Sequence, residues 1–101
     1  MSTAITGGNQ LLESVKVTLG VRSSIFDDEI TDLINAARSD LGIAGITENH
    51  SDSDALIILA IKTYCRMNFH NPANYDKLKA SYDEQKAQLQ TAEGYTNWLE
   101  D

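Results

Sequence analysis

The chain has 101 residues, 42% of them apolar, and carries eight Lys and Arg against fifteen Asp and Glu, a net charge of −7 with His neutral. That length supports one domain around one core, so residues 1–101 are read as a single helical domain. The acidic balance argues against a general phosphate-binding surface, because nucleic-acid binding rests on Lys and Arg neutralising phosphates.

Residues 1–8 are small and polar with a Gly pair, and they read as a loose arm before a core at 9–90. Asn9 is placed to cap a first helix from Gln10 to about Leu19, striped by Leu11, Leu12, Val15 and Leu19 and stopped by Gly20. Ser23 and Ser24 open the next element, and Asp27, Asp28 and Glu29 crowd its first turn, where the helix dipole favours acids. Phe26, Ile30, Leu33, Ile34, Ala37 and Leu41 recur at helical spacing, so a helix is expected over Phe26–Leu41 with Gly42 as its end.

Residues 42–51, GIAGITENHS, form the longest clear connection. Its two isoleucines, Ile43 and Ile46, either tuck under the domain or meet a neighbouring subunit. The central stretch follows from Asp52 to Phe69, DSDALIILAIKTYCRMNF, and Ala55–Ile61 is an unbroken apolar run. Periodicity cannot separate a buried strand from a buried helix in such a run. Its flanks favour a helix: Ser51, Asp52 and Ser53 suit the N-terminus, and Lys62, Arg66 and His70 lie towards the other end. A helix apolar nearly all round is surrounded by other helices or by another subunit.

Asn71-Pro72 is a strong break, and a last helix is expected from about Ala73 to Gln90. Tyr75, Leu78, Tyr82, Gln85 and Leu89 make a narrow heptad-like seam on it, while Asp76, Lys79, Asp83 and Lys86 pair along its wet face. The tail, residues 91–101, carries Tyr95, Trp98 and Leu99, which either pack back on the core or anchor a partner. The fold class is therefore all-α: a small bundle of four helices with short connections and flexible ends. Its expected core is Phe26, Ile30, Leu33, Ile34, Ala37, Ile57, Ile58, Ile61, Tyr64 and Cys65.

The sequence offers no enzyme signature. Cys65 is the only cysteine, so no internal disulfide forms, and its apolar helix reads as a buried thiol. His50 and His70 lie far apart without cysteine partners, and Cys65 and His70 are off a common helical face, so no metal site is expected. Asp27, Asp28 and Asp32 are explained by the helix dipole more readily than by catalysis. Gly7-Gly8 follows no strand and precedes no Lys-Ser/Thr, so it is not a phosphate loop. No cofactor and no catalytic residue is expected. With no signal region at its N-terminus and no membrane-length apolar run, the chain is expected in the cytosol or in something assembled there. The pattern is that of an interaction or assembly subunit; a small acidic regulator that mimics DNA and binds a basic partner is the alternative.

Three stretches resemble a known family. LLESVKVTLGV followed by FDDEITDLINAARSDLGI, from Leu11 to Ile43, is similar to the opening helix pair of the small head–tail connector (head-completion, adaptor) proteins of long-tailed bacteriophages. DALIILAIKTYCRMNF resembles that family's apolar third helix, and NYDKLKASYDEQKAQLQ followed by GYTNW its last helix and tail in phages of Gram-positive hosts. The likeness covers about residues 9 to 98 and rests on helix patterns rather than chemical signatures.

The resemblance implies a structural virion protein, made in the host cytoplasm and placed at the head–tail interface. It implies a ring of identical subunits, about twelve, with the two different contact patches that such a ring needs. The ring would dock on the portal, extend the DNA channel, and receive a stopper or tail-completion protein. DNA would pass through the lumen without specific binding. On this likeness Tyr95, Trp98 and Leu99 are candidate portal-docking residues. Ile43, Ile46, Tyr75 and Tyr82 are candidate subunit contacts.

Overall fold

The computed structural model describes residues 6–46 and 55–91, and among these the fold is all-α. It comprises α1 (Thr6–Leu19), a 3-10 turn (Ser24–Phe26), α2 (Asp27–Ile43), α3 (Ala55–Asn68) and α4 (Tyr75–Thr91).

Two helix ends share one mechanism. At the end of α1, Gly20 sits at φ +75°, the Gly20 N–H donates to Val17 O, and the Val21 N–H donates to Lys16 O at 2.9 Å. At the end of α2, Gly45 sits at φ +89°, the Gly45 N–H donates to Gly42 O, and the Ile46 N–H donates to Leu41 O at 3.0 Å. Both are Schellman closures, in which a left-handed glycine lets its own N–H and that of the next residue satisfy the last free carbonyls. Gly20 therefore stops α1 as expected, but Gly42 does not stop α2. The helix runs through Gly42, because the closing glycine must precede a residue that can be buried, and that residue is Ile46 over Leu41.

The first helix also starts earlier than the sequence suggests, at Thr6 rather than Gln10, so part of the expected loose arm is helix and Asn9 lies inside it. Elongating a helix adds one hydrogen bond per residue, which offsets the penalty of about 1 kcal/mol for each glycine. At α2, the expected start at Phe26 is replaced by the 3-10 turn, capped by Ser23 Oγ, which accepts from the Ile25 N–H at 3.1 Å.

The third helix is the hub: α3 packs on α1, α2 and α4, and α1 packs on α2. Ile57, Ala60, Ile61 and Cys65 turn inwards from α3 and are buried together with Leu11 and Val15 of α1, Ile30, Ile34, Ala37 and Leu41 of α2, and Leu78, Tyr82 and Leu89 of α4. Phe26, Leu33, Ile58 and Tyr64 are only partly buried and flank that cluster. A fully buried side chain of this size contributes about 1.5–3 kcal/mol, so the inward residues dominate stability.

Side-chain contacts give the helix directions. The start of α2 meets the end of α3 through Glu29 and His70, and Ala44, just past α2, meets the end of α4 through Gln90. One end of the bundle thus gathers the end of α1, the start of α2, the end of α3 and the start of α4. The other gathers the end of α2, the start of α3 and the end of α4. At the first end the α3–α4 corner runs through His70 (φ 55°) and Asn71 (φ 50°), both left-handed, before Pro72.

Candidate assembly surfaces

The apolar run of α3 is only partly consumed by the core. Leu56 and Leu59, one turn apart on the outer face, remain 47% and 48% exposed, and Ile43 at the neighbouring end of α2 is 86% exposed. Continuing along the outer face, Arg66 is also exposed. Scattered exposed apolar residues are normal, and Leu56, Leu59 and Ile43 stand near one end of the bundle. Val17 and Ile25 are exposed near the other end.

The expected contact residues divide sharply. Ile43 and Tyr75 are exposed. Ile46 and Tyr82 are corrections to the expected subunit contacts, since both are buried within their own chain. Ile46 is the apolar half of the α2 closure. Tyr82 is 2% exposed and donates its hydroxyl to Asp40 Oδ2 at 2.6 Å. Tyr95, Trp98 and Leu99 lie outside the described residues.

Asp40 is a polar hub joining α2 to α4. Lys86 Nζ also donates to Asp40 Oδ2 at 2.9 Å and lies 5.1 Å from the centre of the Tyr82 ring. Tyr64 of α3 meets the Tyr82 ring edge-on at 5.4 Å. Burial pushes the Asp40 carboxyl upwards, but the hydrogen bonds from Tyr82 and Lys86 outweigh it and hold the group below the usual carboxylate range. Tyr82 is driven the other way, first by burial and then by its bond to the Asp40 anion. Burial alone pushes the Cys65 thiol up to about 12, so it stays protonated and unreactive at neutral pH.

A second joint ties α1 to α2. Lys16 is buried, and its ammonium lies 2.8 Å from Asp27 Oδ1, with Glu13 at 4.0 Å. The close Asp27 carboxylate raises the Lys16 pKa, against the opposing effect of burial. Asp27 thus serves a partner on another helix as well as the dipole of its own. At the same end the His70 ring stacks on Phe69 at 3.9 Å, meets Phe26 edge-on, and brings Nε2 to 3.4 Å from Glu29.

Sequence reading missed Lys16, Asp40 and the outward leucines. Asp40 had a signal, since it falls one turn after Ala37 on the edge of the α2 stripe, and Lys86 falls one turn after Tyr82. Lys16 had none beyond its place between Val15 and Val17. No cluster of three or more His, Cys, Asp or Glu able to hold a metal occurs among the described residues. Nor is any helix among them long and apolar enough to cross a membrane.

Residues 11–96 match a family model described as phage connector protein. Neither curated proteins nor solved structures give a match. The matched span takes in all of α2, α3 and α4 and most of α1.

Proposed function

From the premise that this chain belongs to the phage connector protein family, a structural family of the bacteriophage head–tail junction, we propose that it forms a ring of identical subunits docked on the portal. The ring extends the DNA channel, receives the next stopper or tail-completion protein, and carries out no reaction. The family match over residues 11–96 is the observation that carries this reading.

The physics supports it. A bundle that buries one face of its central helix and leaves Leu59 half exposed, with Ile43 exposed nearby, has apolar surface suited to a contact between subunits. About a dozen copies at −7 each carry on the order of −80 charges, and an acidic lumen repels DNA and lets it slide. Acidic character, which left a DNA mimic open, fits a channel subunit equally. For the portal contact we propose Tyr95, Trp98 and Leu99, since Trp and Tyr are favoured interface anchors.

The test is co-sedimentation of the chain with purified portal. Wild type is expected to travel with the portal, and Trp98→Ala is expected to lose most of that binding at unchanged helix content. A well-folded wild-type chain that never travels with a portal overturns the reading. Equal loss of helix content and binding in Trp98→Ala overturns the anchor alone.

A further inference from the structure

The end of the bundle where α1 and α3 finish and α4 begins carries a groove of about 190 Å³. Leu19, Phe69, Pro72 and Leu78 line it, with Arg66 and Thr18 among its polar members. That volume is below the roughly 300–1,000 Å³ of pockets that hold small-molecule ligands, so it suits one inserted side chain. Arg66 belongs to the last turn of α3, is exposed, and is, among the described residues, the one cation lining this groove. A guanidinium presents a rigid donor fork to a carboxylate, and its stem lies comfortably against apolar walls.

We infer that this groove receives a segment of a partner that sets one apolar or aromatic side chain beside a carboxylate. The partner is the protein that follows on the tail side, which rests on the connector reading. The polarity of the molecule argues for it. The last helix ends at Thr91 at the opposite end of the bundle, where Gln90 Nε2 donates to Ala44 O at 3.0 Å. The last described residue, Thr91, therefore lies at one end and the groove opens at the other, which suits a link between two different neighbours. A cation lining the groove of a chain with net charge −7 supplies local complementarity to an acidic segment.

The chain's own last residues, Trp98, Leu99, Glu100 and Asp101, have the same chemistry, so the experiment must separate them from a partner. Isotope-labelled full chain is titrated with phenylpropionate and, separately, with neutral phenylpropanol, following amide shifts by NMR. Saturable shifts at Thr18, Leu19, Phe69 and Leu78 are expected with phenylpropionate, about tenfold weaker with the alcohol. Arg66→Gln is expected to abolish the preference for the acid, and Arg22→Gln to keep it.

No saturable shift at the groove, or shifts indifferent to both charge and Arg66, overturns the proposal. Tighter probe binding by Trp98→Ala than by wild type also overturns it, because the chain's own tail would then be the occupant. In assembly, Arg66→Gln is expected to bind the portal normally and fail to retain the tail-side protein. Retention unchanged overturns the inference and leaves the connector reading standing, whereas wild type that never binds a portal removes that reading without touching the groove's chemistry.

Discussion

The two faces of α3 are built from the same residue types and meet opposite fates. Ile57, Ala60, Ile61 and Cys65 are closed off by three neighbouring helices, while Leu56 and Leu59, within the same apolar run, stay about half exposed. The inner face holds this subunit together. The outer face adds little to the lone subunit, and on the proposed reading it is where the subunit meets its neighbours. Composition cannot tell the faces apart, since only the positions of α1, α2 and α4 decide which leucines and isoleucines lose contact with water.

Substitutions of like size on the two faces test that contrast. Ile61→Asp is expected to abolish folding, because an unpaired charge in a dry core costs several kcal/mol, comparable to the whole stability of a small domain. Circular dichroism would show the loss of helix, and a cooperative native-like melt would place Ile61 outside the core. Leu59→Asp is expected to cost only about 1 kcal/mol, since the side chain is half exposed already. Its large effect is on joining other subunits at the portal, read by sedimentation. Wild-type assembly by a folded Leu59→Asp protein would make the outer face ordinary surface.

Smaller effects sharpen the account of the polar joints. Tyr82→Phe removes a hydrogen bond to a charged acceptor at a partly exposed site and is expected to cost about 1–2 kcal/mol, or roughly 5–15 °C in melting temperature. The Asp40 carboxyl is depressed in the folded state, so its contribution is present above the unfolded value of about 3.9 and lost as pH falls through the lower folded value. The stability gap between wild type and Tyr82→Phe should therefore narrow below about pH 4. A gap constant from neutral to acid pH would show that Asp40 and Tyr82 are not coupled. Lys79→Ala breaks a bidentate but exposed pair with Asp83 and is expected to leave the melting temperature unchanged.

Much of this fold was legible because it is written locally. The α2 stripe, the Asn71-Pro72 break and the α1 stop at Gly20 follow from spacing and backbone preference within a few residues. The end of α2 was misplaced because Gly42 and Gly45 are equivalent until one knows that Ile46 can be buried over Leu41. Lys16 drew no reading from the sequence, because its partner, Asp27, lies on the next helix. Tyr82 looked like a possible contact, because its bond to Asp40 spans 42 positions. Each miss concerns a contact between helices, and the outward leucines were hidden for a related reason: an unbroken apolar run has no phase, so it cannot say which side faces out.

Electron microscopy of purified portal mixed with the wild-type chain, alongside the Leu59→Asp chain, tests the central claim most directly. The account predicts an additional ring beneath the portal with wild type and a bare portal with a folded Leu59→Asp protein. A bare portal with both, or a complete ring with both, would contradict it.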